Sequence, residues 1–194
     1  SNSQNGMFIT DTHDNQITNN IVKFNTVNGI FLSNADRNTI MNNNAESNSD
    51  KGIFLLSSDD NDVANNNVLS NWAGIDIHTS TNNDVYENDA NQNSYAGIYL
   101  YDSTYSDLWD NEAIMNSWYG IILDLSSNSS VQGNTLTDNL QDGIFLKDSV
   151  QNYVASNNAS DNSISGIYLQ GSSNNMLDGN IANDNSNGIA LSLS

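Results

Sequence analysis

Asp76 and His78 stand two residues apart, and 23 residues further on Tyr99 and Tyr101 repeat the spacing. On a strand, residues i and i+2 share a face at about 7 Å. A carboxylate and an imidazole so placed could serve as acid and base across a glycosidic bond, with two phenols beside them. Asp76 and His78 are therefore the candidate catalytic pair, weighed against an ordinary exposed Asp–His pair. All three tryptophans (Trp72, Trp109, Trp118) and six of the eight tyrosines fall between residues 72 and 119. Flat rings stack on the C–H faces of sugars while carboxylates accept from the hydroxyls. Tyr99, Tyr101, Trp109, Trp118 and Asp124 are the candidate ligand-binding residues of this belt. The alternative is that large side chains merely fill a wider section of the molecule.

Metal chemistry finds little support. His13 is the only other histidine, and there is no cysteine, so neither zinc nor copper is expected. Loops rich in Asp and Asn allow weak calcium binding, but no D-x-D-x-D-G loop is present and no ligands are assigned. No cofactor is expected. Two glycosylation sequons occur, Asn128-Ser129-Ser130 and Asn158-Ala159-Ser160.

Twenty-three acidic residues face four basic ones, Lys23, Arg37, Lys51 and Lys147, for a net charge of -19. Nucleic acid and anionic lipid are held through Lys and Arg, so neither is an expected partner. No apolar run approaches the roughly 18 residues that cross a bilayer, so no membrane insertion is expected in this segment. Polyuronate cleavage needs cations to neutralise an acidic sugar, and Arg37, Lys51 and Lys147 are scattered over different segments. That scatter argues against it.

What must position these residues is a repeat. Glycine recurs at 6, 29, 52, 74, 97, 120, 143, 166 and 188, at intervals of 23 residues in six cases and 22 in two. One step on stands Met7 and then Ile in every later copy; three steps on stands Ile or Leu in all nine. Alternation with β-branched residues marks a strand with one buried face. Further apolar positions follow at eleven steps (Ile17, Ile40, Val63 and successors) and sixteen (Val22, Ala45, Val68 and successors). Turn formers lie between them and no stretch carries a helical apolar stripe. Each unit thus reads as three short strands.

Two columns are asparagine in all eight complete intervals. At fourteen steps these are Asn20, Asn43, Asn66, Asn88, Asn111, Asn134, Asn157 and Asn180; at nineteen they are Asn25, Asn48, Asn71, Asn93, Asn116, Asn139, Asn162 and Asn185. Stacked at about 4.8 Å, such amides bond to their copies above and below, and Asn tolerates left-handed backbone at a corner. A softer column of small residues runs from Thr12 and Ala35 through Ser58 to Ser172. The fold class is all-β: a right-handed parallel β-helix of about eight coils and three parallel sheets, its handedness set by crossover chirality. Residues 1–194 form a single such domain, read as a fragment or processed part of a longer surface protein.

Two steps after each glycine the side chains should point outward: Phe8, Phe31, Phe54, Asp76, Tyr99, Ile122, Phe145, Tyr168 and Ala190. This is either a stripe for a partner or sugar, or an aromatic ladder that stiffens the sheet under a covering turn.

The phrase N-x-[IV]-x-x-N (Asn38-Thr39-Ile40 to Asn43) with N-G-I-x-L (Asn28-Gly29-Ile30) resembles the parallel β-helix repeats of the pectin-lyase-like superfamily, of the NosD-like, carbohydrate-binding and sugar-hydrolase type. The resemblance covers essentially the whole chain. It implies an envelope or surface protein, and activities that range from lyase, hydrolase and epimerase to none. An Asp-x-His pair also occurs in alginate-epimerase relatives, where proline separates the two; here it is Ile77.

Two functions are weighed. The first is a non-enzymatic extracellular or cell-surface structural or adhesive module, whose partners are copies of itself through the coil ends or the outer aromatic stripe. The second is a carbohydrate-binding or polysaccharide-processing module acting on glycans through the central aromatic–Asp belt.

Overall fold

A computed structural model describes residues 2–193. Each coil contributes one long and one short strand. In chain order they are β1 (Met7–Thr10), β2 (Gln16–Thr18), β3 (Ile30–Ser33), β4 (Thr39–Met41), β5 (Lys51–Leu56), β6 (Asp62–Ala64), β7 (Ala73–His78), β8 (Asp84–Tyr86) and β9 (Ala96–Tyr101). They continue as β10 (Asp107–Trp109), β11 (Tyr119–Asp124), β12 (Ser130–Gln132), β13 (Ile144–Lys147), β14 (Tyr153–Ala155), β15 (Ser165–Gln170), β16 (Met176–Asp178) and β17 (Asn187–Ser192). The odd strands form a nine-stranded parallel sheet and the even ones an eight-stranded parallel sheet. No helix occurs among the described residues. The protein is a parallel β-solenoid.

The third sheet expected from the sequence is reduced to one residue per coil. Single parallel bridges run Ile21, Asn44, Asn67, Asp89, Glu112, Thr135, Asn158 and Ile181. The backbone explains the shortening. Left-handed residues recur four times per coil; in one coil they are Ser57, Asp60, Asn65 and Ser70, with φ of 47°, 57°, 53° and 57°. The last two are corners that leave only Asn66 to Leu69 between them, too few for a longer strand. The ladder asparagines are not the left-handed residues; each follows one, as Asn66 follows Asn65.

The ladders hold the corners together. Asn88 donates both its backbone N–H and its Nδ2 to Asn111 Oδ1, at 3.1 and 3.0 Å. Asn111 passes the same pair on to Asn134 Oδ1 (2.9 and 3.0 Å), and its Nδ2 reaches back to the Val85 carbonyl at 2.8 Å. Each amide therefore satisfies groups on coils before and after its own. The serine column works similarly, the Ser58 N–H donating to Ser80 Oγ at 3.0 Å. A further ladder escaped the sequence reading: Asn38 N–H donates to Asn61 Oδ1 (2.8 Å), and the column continues through Asn83, Ser106 and Ser129.

The recurrent glycine answers to crowding. A Cβ on Gly74 would fall 2.6 Å from the Gly97 carbonyl and 2.9 Å from Asn93 Nδ2. Inside the coil, columns of Ile, Leu, Val and Ala form one core, with Ile98, Leu100 and Leu108 fully buried. A second, smaller cluster lies outside the nine-stranded sheet. There Ile122 and Phe145 are buried, with Tyr95, Tyr99, Tyr119 and Tyr168 packed against them. The outward column is thus only partly free surface: Phe8 is 57% exposed but Phe145 only 8%.

Candidate functional site

Register builds the site on the outer face of the nine-stranded sheet. Phe54, Asp76 and Tyr99 are partners across β5, β7 and β9, and Leu56, His78 and Tyr101 form the next outward column. Strand alternation sends both columns outward, so one carboxylate, one imidazole and three rings converge.

Asp76 has no exposed surface. His78 Nε2 comes to 2.7 Å from its Oδ1, without the alignment of a directed hydrogen bond. The His78 ring lies edge-on to Phe54 and Tyr99 (centroids 5.3 and 5.5 Å) and tilted against Tyr101 at 5.1 Å. Burial pushes the Asp76 carboxyl above the ordinary carboxylate range, opposed by the contact with His78 and the charge of Lys51. Burial likewise raises the Tyr99 phenol, with Asp124 adding to it, and pushes Tyr119 up to about 12. Both phenols stay protonated near neutrality and can donate.

Lys51 joins the group, while Arg37 and Lys147 pair with Asp14 and Asp124 on other coils, so the cations remain scattered. Lys51 stands one coil before Asp76, yet its Nζ lies 4.0 Å from Asp76 Oδ2 and 2.9 Å from Asp50 Oδ2. The ammonium sits over Phe54 and Trp72, 5.0 and 5.1 Å from their ring centroids. Residues separated by about one coil are spatial neighbours, and a scan for linear proximity misses such diagonals. Trp72 in turn stacks on Tyr95 (4.6 Å, 8°), a wall beside the site that single-strand spacing does not reveal.

The predicted ligand-binding residues divide between two faces. Tyr99 and Tyr101 adjoin His78. Asp124 continues the outer column opposite Tyr101 and pairs with Lys147 at 3.0 Å. Trp118, 49% exposed, lies on the rim against Tyr95. Trp109 is elsewhere: it belongs to β10 of the eight-stranded sheet and stacks on Tyr86. The central belt is therefore not one site, because offset from the glycine, not position along the chain, decides the face. Chemically, the arrangement offers a partly exposed imidazole whose Nε2 is buried against the Asp76 carboxyl, an ammonium close to that carboxyl, and the Tyr99 phenol as a group able to donate.

Fold and site together define a parallel β-helix with a polar, aromatic-walled patch on one sheet. The chain belongs to the right-handed β-helix family: the "right handed beta helix region" matches residues 63–194. Residues 1–94 match the family described as "periplasmic copper-binding protein (NosD)". No curated protein matches the sequence. Among solved structures, the chain is similar to the periplasmic alginate epimerase AlgG (22% identity, TM-score 0.78, covering 96% of this chain and 47% of that one). It is similar also to the Azotobacter vinelandii mannuronan C-5 epimerase AlgE4 A-module (17%, TM-score 0.81, 90% and 55%). A third is tailspike protein 2 of an Escherichia coli O157:H7 bacteriophage (12%, TM-score 0.67, 97% and 35%). The chain spans about half the length of the two epimerases. Copper does not fit the residues present: His78 has one carboxylate and no second imidazole or sulfur beside it, and no metal-binding group of three forms among the described residues.

Proposed function

We propose that this chain is a polysaccharide-binding and -processing module that works outside the cytoplasm, through the outer face of its nine-stranded sheet. The observation that carries this is the convergence of Lys51 and His78 on the buried carboxylate of Asp76, with Tyr99 edge-on to His78 and Trp72 and Tyr95 as a wall. The extracytoplasmic placement is supported by the descriptions of NosD and AlgG as periplasmic.

The geometry favours proton transfer over hydrolysis. Paired-carboxylate hydrolysis needs two carboxyl groups flanking the sugar, and the only one at the centre is sealed. Proton abstraction beside a sugar carboxylate needs a base, a cation over the carboxylate and a proton donor. His78 and Tyr99 supply the base and the donor, Lys51 supplies the cation on exchanging its partner Asp50 for the sugar carboxylate, and the mannuronan epimerase likeness supports a uronate substrate. The test is incubation with a β-1,4-linked uronate oligomer in D2O. Deuterium should enter the sugar at C5, and His78→Gln should abolish it; no incorporation, even at saturating oligomer, would refute the reaction.

A second reading is the non-enzymatic structural or adhesive module with its own copies as partners. It rests on the uninterrupted asparagine ladders, which hold coil to coil and serve the stack rather than a ligand. Salt-favoured self-association in sedimentation would support it, and a monomer at high salt would count against it.

A further inference from the structure

The face carrying Trp109 has a site of its own. Trp109 stacks on Tyr86 of the preceding coil with centroids 4.4 Å apart and planes 5° from parallel. That spacing is close to the interstrand distance, so the rings lie across the rod axis and the second face of Trp109 looks toward the next coil. The register partner there is Gln132, whose amide turns aside to donate to Ser130 Oγ. The stack is therefore interrupted. A cavity of about 390 Å³ opens beside Trp109, lined by Asp107, Asp110, Ser130, Gln132, Gly133 and Ser156 among others. Gly133 helps to make this room: with φ of +65°, a Cβ there would fall 2.6 Å from Asp110 Oδ1.

The cavity is charged in one sense. Asp107 shares the outward face of β10 with Trp109 and lies in direct register with Asp84 and then Asp62. Burial and these like-charged neighbours hold the Asp84 carboxyl above the ordinary range. No lysine or arginine lines the cavity. Lys23, Arg37, Lys51 and Lys147 are engaged elsewhere, with Glu46, Asp14, Asp50 and Asp124.

We propose that this cavity is a second saccharide site, separate from the one at His78, that takes a pyranose ring bearing a free amine. The ring continues the interrupted stack by laying its C–H face on the indole, and its ammonium falls between Asp107 and Asp110. Cation–π attraction to Trp109 adds to both contacts. Ser130, Gln132 and Ser156 supply hydroxyl partners. A uronate is repelled, and N-acetylation removes the charge that the carboxylates select.

The test uses the full chain titrated at low salt with a fully deacetylated and a fully acetylated chito-tetraose, read by tryptophan fluorescence and calorimetry. The deacetylated tetramer should bind at least about tenfold tighter, a difference of about 1.4 kcal/mol. Trp109→Ala should abolish that binding, Asp107→Asn with Asp110→Asn should weaken it about tenfold or more, and His78→Gln should leave it unchanged. Spermine, which carries charge without a ring, should compete weakly. The proposal is overturned if neither tetramer binds, if both bind alike, if spermine competes equally, or if Trp109→Ala retains full affinity. The insensitivity to His78→Gln separates failure here from failure of the uronate reading.

Discussion

His78 Nε2 stands 2.7 Å from Oδ1 of Asp76, a carboxylate with no exposed surface, in the middle of the rod's outer face. Burying a carboxylate is costly unless partners offset it. His78 and Lys51 are the groups that do so here. The cost shows as the upward displacement of the Asp76 titration, in which burial outweighs both partners.

Stability should therefore rise on mild acidification. A carboxyl whose folded pKa is raised binds more protons in the native than in the unfolded state near that pKa. Its contribution is fully present below the ordinary value of about 4 and is lost as pH rises through the folded value. Asp84, Asp89 and Asp142 are displaced upward as well, and relief of the net charge of -19 acts in the same direction. The melting temperature should climb as pH falls from neutrality toward the ordinary carboxylate value of about 4, and Asp76→Asn should flatten that slope. A falling melting temperature over this range would contradict the account.

Asn111→Ala should cost about 1–3 kcal/mol in chemical denaturation. It leaves the Asn88 N–H and the Val85 carbonyl without the partner they had. A loss indistinguishable from zero would mean that water replaces the ladder at no cost.

Two phenylalanines at the same offset should respond differently. Phe145 lies between Tyr119 and Tyr168, with centroids 5.2 and 5.3 Å away, and is 8% exposed. Phe8 stacks on Phe31 alone and is 57% exposed. Phe145→Ser should cost about 3–5 kcal/mol, comparable to the about 2–5 kcal/mol expected for the inward Ile98→Ala. Phe8→Ser should cost under about 1 kcal/mol. Equal losses from the two phenylalanines would refute the covering of the central stripe.

The coil was readable because crowding and stacking leave a strict trace: glycine where the next carbonyl approaches, asparagine where an amide serves two neighbours. What was not readable depended on distances between coils. Lys51 reaches Asp76 on a diagonal, and the small tyrosine-rich cluster over Ile122 gathers side chains from β9, β11, β13 and β15 that adjoin only across coils. Trp109 looked like a neighbour of Tyr99 because the two are close in sequence, yet their offsets send them to different sheets. The third sheet shrank to single bridges because left-handed residues such as Asn65 and Ser70 crowd its corners, and φ sign has no signature in hydrophobic periodicity.

The most direct test of the saccharide site at His78 is built into the composition, because the chain has only two histidines. Two imidazole Hε1 signals should appear in the proton spectrum, and His13, near the start of the rod, is the internal control. Saturation with a β-1,4-linked uronate hexamer should move the His78 signal and leave that of His13 in place. An unmoved His78, or equal shifts of both histidines, would contradict the assignment of this face as the saccharide site.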